Sequence, residues 1–123
     1  MNLMEKNNVT FEELKCIIQQ FVDERDWQKY HNPKNLAMSI SIESAELMEI
    51  FQWLTMEESI LLKNNKAKFE KIKEEIADII IYCISLGSIL DIDLSKAILE
   101  KIEKNKSKYP TSKYKGNFSG VQN

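Results

Sequence analysis

The 123 residues carry 17 Lys+Arg against 19 Asp+Glu, a formal net charge of -2. A chain of this length suits one domain with a sizeable core, and its balanced charge offers no field to draw in nucleic acid or an anionic membrane. With only three Gly and two Pro, and with little strand-type alternation, the composition favours an all-α fold.

The N-terminal stretch, Met1 to Asn8, has no apolar signal-peptide core. The longest near-continuous apolar run, Ile76 to Ile84, is broken by Asp78 and is too short to span a bilayer. A soluble cytoplasmic protein is the expectation. Cys16 and Cys83 fall at apolar helical positions and read as reduced core residues rather than as a disulfide or a zinc site.

The first helix opens on a capping box, Thr10 and Glu13, with Val9 and Leu14 as its staple. Phe11, Leu14, Ile17, Ile18, Phe21 and Val22 recur at helical spacing, and the helix is expected to run to about Trp27. A polar loop, Gln28 to His31, follows. Asn32 and Pro33 supply an N-cap and a first helical residue. The second helix is expected from Pro33 to about Leu54, with Leu36, Ile40, Leu47, Ile50 and Leu54 as its apolar stripe. Thr55 to Asn65 is a connection. Its second capping box, Thr55 with Glu58, predicts a short helix over about Met56 to Leu62. The lysines from Lys63 to Lys73 read as a solvated helical face.

The third long helix is expected from Lys66 to Leu90, with Ile72, Ile79, Tyr82, Cys83, Leu86 and Leu90 on its inner stripe. Ile79, Ile80 and Ile81 alone would also suit a buried strand, but the longer helical pattern decides. A helix apolar on several faces needs cover on more than one side, either inside a bundle or at a subunit interface. Asp93 caps a fourth helix, Leu94 to about Lys108, which Pro110 ends. The expected domain covers residues 1–110, and residues 111–123 form a flexible tail or one that docks on another subunit. No internal repeat is present.

Two acidic pairs stand out against this apolar pattern. Glu43 and Glu46 on the second helix, and Glu75 and Asp78 on the third, are each three residues apart, on one face and one turn apart. At about 100° per residue, Glu43 and Glu75 fall inside their apolar stripes, and Glu46 and Asp78 at the borders. A single Glu-x-x-Glu is ordinarily a solvated pair. Four acids facing one another from two core helices repel strongly unless cations sit between them, and hard cations such as Mg²⁺ suit all-oxygen ligands. Burial in salt bridges, with Lys101 as partner, is the structural alternative. A di-iron carboxylate bundle normally adds Glu-x-x-His motifs, and the one histidine, His31, lies in a predicted loop.

Trp53 and Tyr82 each follow an acid by seven residues, about two turns or roughly 10 Å along a helix. A base could stack there while its phosphates reach the metals, although each ring taken alone suits a core. Trp27, Tyr30 and His31 could close such a pocket. Lys101, Asn105 and Lys108 could meet the phosphates; otherwise Lys101 is a snorkelling side chain and Lys108 a helix C-terminal charge.

Glu43-x-x-Glu46 followed by Glu75-x-x-Asp78 resembles the signature of the MazG-type all-α nucleoside triphosphate pyrophosphohydrolases. Glu24-Arg25-Asp26-Trp27 and Tyr30-His31-x-Pro33-Lys34-Asn35-Leu36 look like the opening of the dCTP pyrophosphatase subgroup. Glu46-Leu47-x-Glu49-x-Phe51-Gln52-Trp53, Asp78-Ile79-x-Ile81-Tyr82 and Lys101-x-x-x-Asn105-x-x-Lys108-Tyr109-Pro110 continue the likeness. The resemblance implies a four-helix bundle completed by oligomerisation, as a homodimer or homotetramer. It also implies hydrolysis of a nucleoside triphosphate, dCTP or a modified dCTP, to the monophosphate and pyrophosphate. Glu43, Glu46, Glu75 and Asp78 would then hold Mg²⁺, or Mn²⁺ in its place, and Glu46 would handle the attacking water. His31, Trp27, Trp53 and Tyr82 would line the base pocket, and Lys101, Asn105 and Lys108 would hold phosphates. No nucleic acid or membrane partner is expected. A non-catalytic helical oligomer, serving as nucleotide sensor or adapter, is the alternative. The segment from Thr55 to Lys73 and the tail after Pro110 carry no part of the likeness, and Ile42 stands where some relatives have a further acid.

Overall fold

The five longer helices each begin where a cap side chain meets the first free backbone N–H groups. In a computed structural model, which describes residues 2–119, Thr10 accepts from the N–H of Glu13 at 3.2 Å, and the Glu13 carboxylate accepts from the N–H of Thr10. This completes the capping box of α1 (Phe11–Glu24). Asn32 caps α2 (Pro33–Phe51) by accepting from Asn35, with Pro33 in the first turn. Thr55 and Glu58 form the second reciprocal box, on α3 (Met56–Leu61). Asn65 caps α4 (Lys66–Ile89) and Asp93 caps α5 (Leu94–Lys108). A one-turn helix, α6 (Thr111–Tyr114), and two 3-10 turns, Leu3–Glu5 and Leu62–Asn64, complete the regular structure among the described residues. All of it is helical, as the composition predicts. No helix among these residues is long and apolar enough to cross a membrane. The expected tail, residues 111–123, includes α6, and its last four residues, 120–123, lie outside the described residues.

Two helix ends fall earlier than the periodicity predicts. α1 stops at Glu24 rather than near Trp27 because Asp26 turns into the left-handed region, at φ 54°. The N–H of Trp27 then reaches back to the carbonyl of Val22, and that of Asp26 to Asp23. This is the paired-bond arrangement of a Schellman motif, closed without glycine. α2 stops at Phe51 rather than Leu54, so Trp53 leaves the helix on a turn. Asp91, again at φ 54°, ends α4 in a similar way.

The described residues divide into two compact units at Asp91–Ile92. In the first, α2 packs along α4 and α1 lies against α4. His31, just before α2, meets Tyr82, and Glu43 meets Glu75, so α2 and α4 run antiparallel. The buried apolar residues come one from each helix: Val22 from α1, Leu36 from α2 and Ile84 from α4. Many other large apolar side chains stay exposed, including Phe21 on α1, Met48 on α2 and Ile76 and Ile80 on α4. Cys16 is among the exposed residues, contrary to its expected core position, because it lies on the side of α1 bordered by Leu3 and Glu12. The second unit carries α5 and α6, with Tyr109 and Tyr114 in an edge-to-face contact.

Candidate active site

The antiparallel pairing of α2 and α4 brings the two acidic motifs together. One carboxylate oxygen each from Glu43, Glu75 and Asp78 lies within 4.8 Å of the others. Glu75 is only 6% exposed, and its Oε2 is buried with no hydrogen-bond partner. Its other oxygen, Oε1, lies 3.8 Å from the Nζ of Lys71, one turn earlier on α4. Glu46 is exposed and stands outside the three-oxygen cluster. It is nevertheless close enough to act on Glu43.

The electrostatics follow from that crowding. The Glu43 carboxyl is pushed up to about 7, first by the neighbouring Glu75 carboxylate. Desolvation raises it further, and so does Glu46. A carboxyl that holds its proton near neutral pH beside other acids marks a site short of positive charge. The Tyr82 hydroxyl is raised as well, by burial first and then by the charges of Glu43 and Asp78. Tyr82 therefore borders the acids.

The donor set fits a hard cation. Carboxylate oxygens gathered this closely are of the kind that would hold such a cation at about 2.0–2.6 Å. The orphaned Oε2 of Glu75 is the kind of buried acceptor that a cation satisfies. This cluster could bind a metal ion.

Beside Asp78 opens a cavity of about 380 Å³, lined by Ile17, Phe21, Trp27, His31, Tyr82 and Ser85 among others. The Schellman turn places Trp27 on its wall. Trp27 meets Phe21 edge-on at 5.7 Å and stacks with His31 at 6.3 Å, and His31 meets Tyr82 at 6.5 Å. These rings form a continuous aromatic border next to the acids.

Not every expected residue is in this place. His31, Trp27 and Tyr82 line the cavity, as does Asp78. Trp53, 86% exposed on its turn, is not among the lining residues. Tyr30 is exposed beside the cavity loop. Lys101, Asn105 and Lys108 share one face of α5, in the second unit. Ser85, which the sequence reading passed over, belongs to the site's surroundings, and Lys71, expected on a solvated face, is exposed but reaches Glu75. Counting from Asp78 by four and seven residues reaches Tyr82 and then Ser85, so the helical period did contain that signal.

The sequence pattern of the MazG-like family matches residues 38–120, a span that takes in both acidic motifs. The chain belongs to the MazG-like family. This member is 34% identical to dCTP pyrophosphatase 1 of Bos taurus over 107 residues, 87% of the chain. It is 34% identical to dCTP pyrophosphatase 1 of Homo sapiens over 101 residues, 82% of the chain. It spans 63% and 59% of the lengths of those two relatives. Among solved structures, a pyrophosphatase from Archaeoglobus fulgidus superposes with a TM-score of 0.74 at 46% identity. That alignment covers 86% of this chain and 97% of the other. The MazG-like signature thus coincides with the pair of helices that carries the clustered acids.

Proposed function

We propose that this chain hydrolyses a nucleoside triphosphate, dCTP or a modified dCTP, to the monophosphate and pyrophosphate, as nucleotide-pool housecleaning in the cytoplasm. The observation that carries the reading is the three-oxygen acidic cluster opening beside an aromatic cavity. The dCTP pyrophosphatases among its relatives support the substrate class.

In this reading Glu43, Glu46, Glu75 and Asp78 hold Mg²⁺, with Mn²⁺ as a substitute. The bound cation supplies charge neutralisation of the triphosphate and a site for polarising its oxygens. Glu46, exposed at the edge of the cluster, orients the attacking water and takes its proton. Water adds its oxygen to one phosphorus of the α–β anhydride, and the bond from that phosphorus to the bridging oxygen breaks. The electron pair stays on that oxygen, which leaves with pyrophosphate if the α phosphorus is attacked or with the monophosphate if the β phosphorus is. Tyr82, His31 and Trp27 receive the base in the cavity, and Trp53 adds a further aromatic surface. Lys101, Asn105 and Lys108 hold phosphate oxygens. The active form is a homodimer or homotetramer, a reading supported by the exposed apolar side chains of α1, α2 and α4.

Incubation of the purified chain with a nucleotide panel and Mg²⁺ is expected to release pyrophosphate and the monophosphate, with dCTP or a modified dCTP preferred. Glu46→Gln and Asp78→Asn are each expected to lower turnover by about tenfold or more with helicity retained. Orthophosphate as the sole phosphate product, or calorimetric binding without turnover, would reject the reading. The latter would leave the non-catalytic sensor in its place.

A further inference from the structure

The cavity beside Asp78 is apolar and aromatic along most of its wall, with Ile17, Ile18, Phe21, Val22, Trp27 and Ile81 contributing. Two buried polar atoms interrupt that wall. Ser85 Oγ and His31 Nδ1 are both closed off from solvent, and neither has a hydrogen-bond partner. Ser85 as a whole is only 7% exposed.

A helical serine has a ready remedy for this, since its hydroxyl can donate to the carbonyl four residues back. Ser88, on the same helix and nearly one turn on, uses it: its Oγ donates to the carbonyl of Ile84 at 3.0 Å. Ser85 makes no equivalent bond. Its hydrogen-bonding capacity is left over, closed to solvent, and His31, in the lining of the same cavity, carries a second polar atom in the same state. A ligand that brings polar groups to both atoms gains hydrogen bonds there that a purely apolar one forgoes.

Position along α4 indicates which part of a ligand that is. Asp78, Tyr82 and Ser85 follow one another at four and three residues, on one stripe of the helix. Ser85 therefore stands about 10 Å along the axis from the acid cluster. A ligand with its phosphates at the acids and its ring beside Tyr82 directs the far edge of that ring toward Ser85 and His31.

We infer that Ser85 is a specificity-determining residue, whose hydroxyl together with His31 Nδ1 takes the hydrogen-bonding edge of the substrate's nucleobase. The inference rests on the reading of the site as one for nucleoside triphosphates. A hydroxyl both donates and accepts, and a neutral imidazole nitrogen does either according to its tautomer. The pair therefore suits a base edge that presents a donor next to an acceptor, as the amino group and ring nitrogen of cytosine do. Sites built to bond a polar edge lose discrimination when one of their own polar groups is removed.

The test is steady-state kinetics of the full chain and of Ser85→Ala on dCTP, dTTP, dATP and dGTP, with the thermal midpoint measured alongside. In Ser85→Ala, kcat/KM for the preferred nucleotide is expected to fall about tenfold, through KM rather than kcat, so that the ranking of bases narrows. The thermal midpoint is expected to hold or rise, because the hydroxyl has no partner to lose in the free protein. Should Ser85→Ala fail to fold, Ser85→Cys, which keeps the shape and weakens the hydrogen bond, is expected to narrow the ranking in the same way. An unchanged ranking in the folded variant, or equal turnover of all four nucleotides by the wild type, would overturn the Ser85 assignment and leave the pyrophosphohydrolase reading intact. Absence of both binding and turnover in the wild type would overturn the two together.

Discussion

At the scale of single residues, the site is governed by how Glu43 holds its proton. Its carboxyl is raised from 4.5 to about 7, by the neighbouring Glu75 carboxylate first and by desolvation next. The sign of the consequence follows from linkage. An acid whose folded pKa exceeds its unfolded one stabilises the fold fully below the unfolded value and loses that contribution as pH rises through the folded value. Without divalent cations, the thermal midpoint is therefore expected to fall as pH rises from about 4.5 to about 7. Glu43→Gln, neutral throughout, should remove most of that slope. Mg²⁺ should stabilise more at pH 8 than at pH 6, because at the lower pH it must displace a proton. Thermal melts across pH, with chelator and with Mg²⁺, read all three. A wild-type slope equal to that of Glu43→Gln would contradict this account of the acid cluster. Glu43 and Glu75 were visible in the sequence because an acid inside an apolar stripe is costly and therefore conspicuous. Ser85 was marked only by its helical period from Asp78, since a serine on a helix carries no comparable cost until its missing partner is seen.

At the scale of elements, the beginnings of helices were legible and their ends less so. Thr10, Asn32, Thr55 and Asp93 announce the starts of α1, α2, α3 and α5 because a side-chain oxygen must meet the first free N–H groups. The end of α1 was misplaced because the usual marker, a glycine in the left-handed region, is absent. Asp26 takes that conformation instead, at φ 54°. Because an L-residue there has a steric cost, Asp26→Gly is expected to stabilise the fold by about 0.5–1 kcal/mol. Asp26→Val, branched at Cβ, should destabilise it. Urea denaturation of the three proteins checks the order, and a less stable Asp26→Gly would show that the aspartate itself supports the turn. The position matters beyond stability, because this turn sets Trp27 against Phe21 and His31 on the cavity wall.

At the scale of the whole molecule, sequence and structure meet on one imbalance, too much apolar surface for the helices available to cover it. The pattern around Ile79, Ile80 and Ile81 required cover on more than one side of α4, and the helices packed against α4 leave Ile76 and Ile80 more than 40% exposed. The two stand four residues apart, on one stripe of the helix. Contiguous exposed apolar side chains on a folded unit mark an association surface, and obligate subunit interfaces resemble a core divided in two. What no single chain's sequence could supply is the geometry of such an association, since a partner's side chains would not be adjacent in the chain. The wild type is expected to be dimeric or larger by light scattering at micromolar concentration. Ile80→Lys places a charge on this stripe without touching the acids or the cavity wall. It is expected to shift the protein toward monomer, and to lower the thermal midpoint in a way that depends on protein concentration. A monomeric wild type, or an Ile80→Lys variant with unchanged mass and midpoint, would mean that this stripe of α4 is not where the missing part of the core is found.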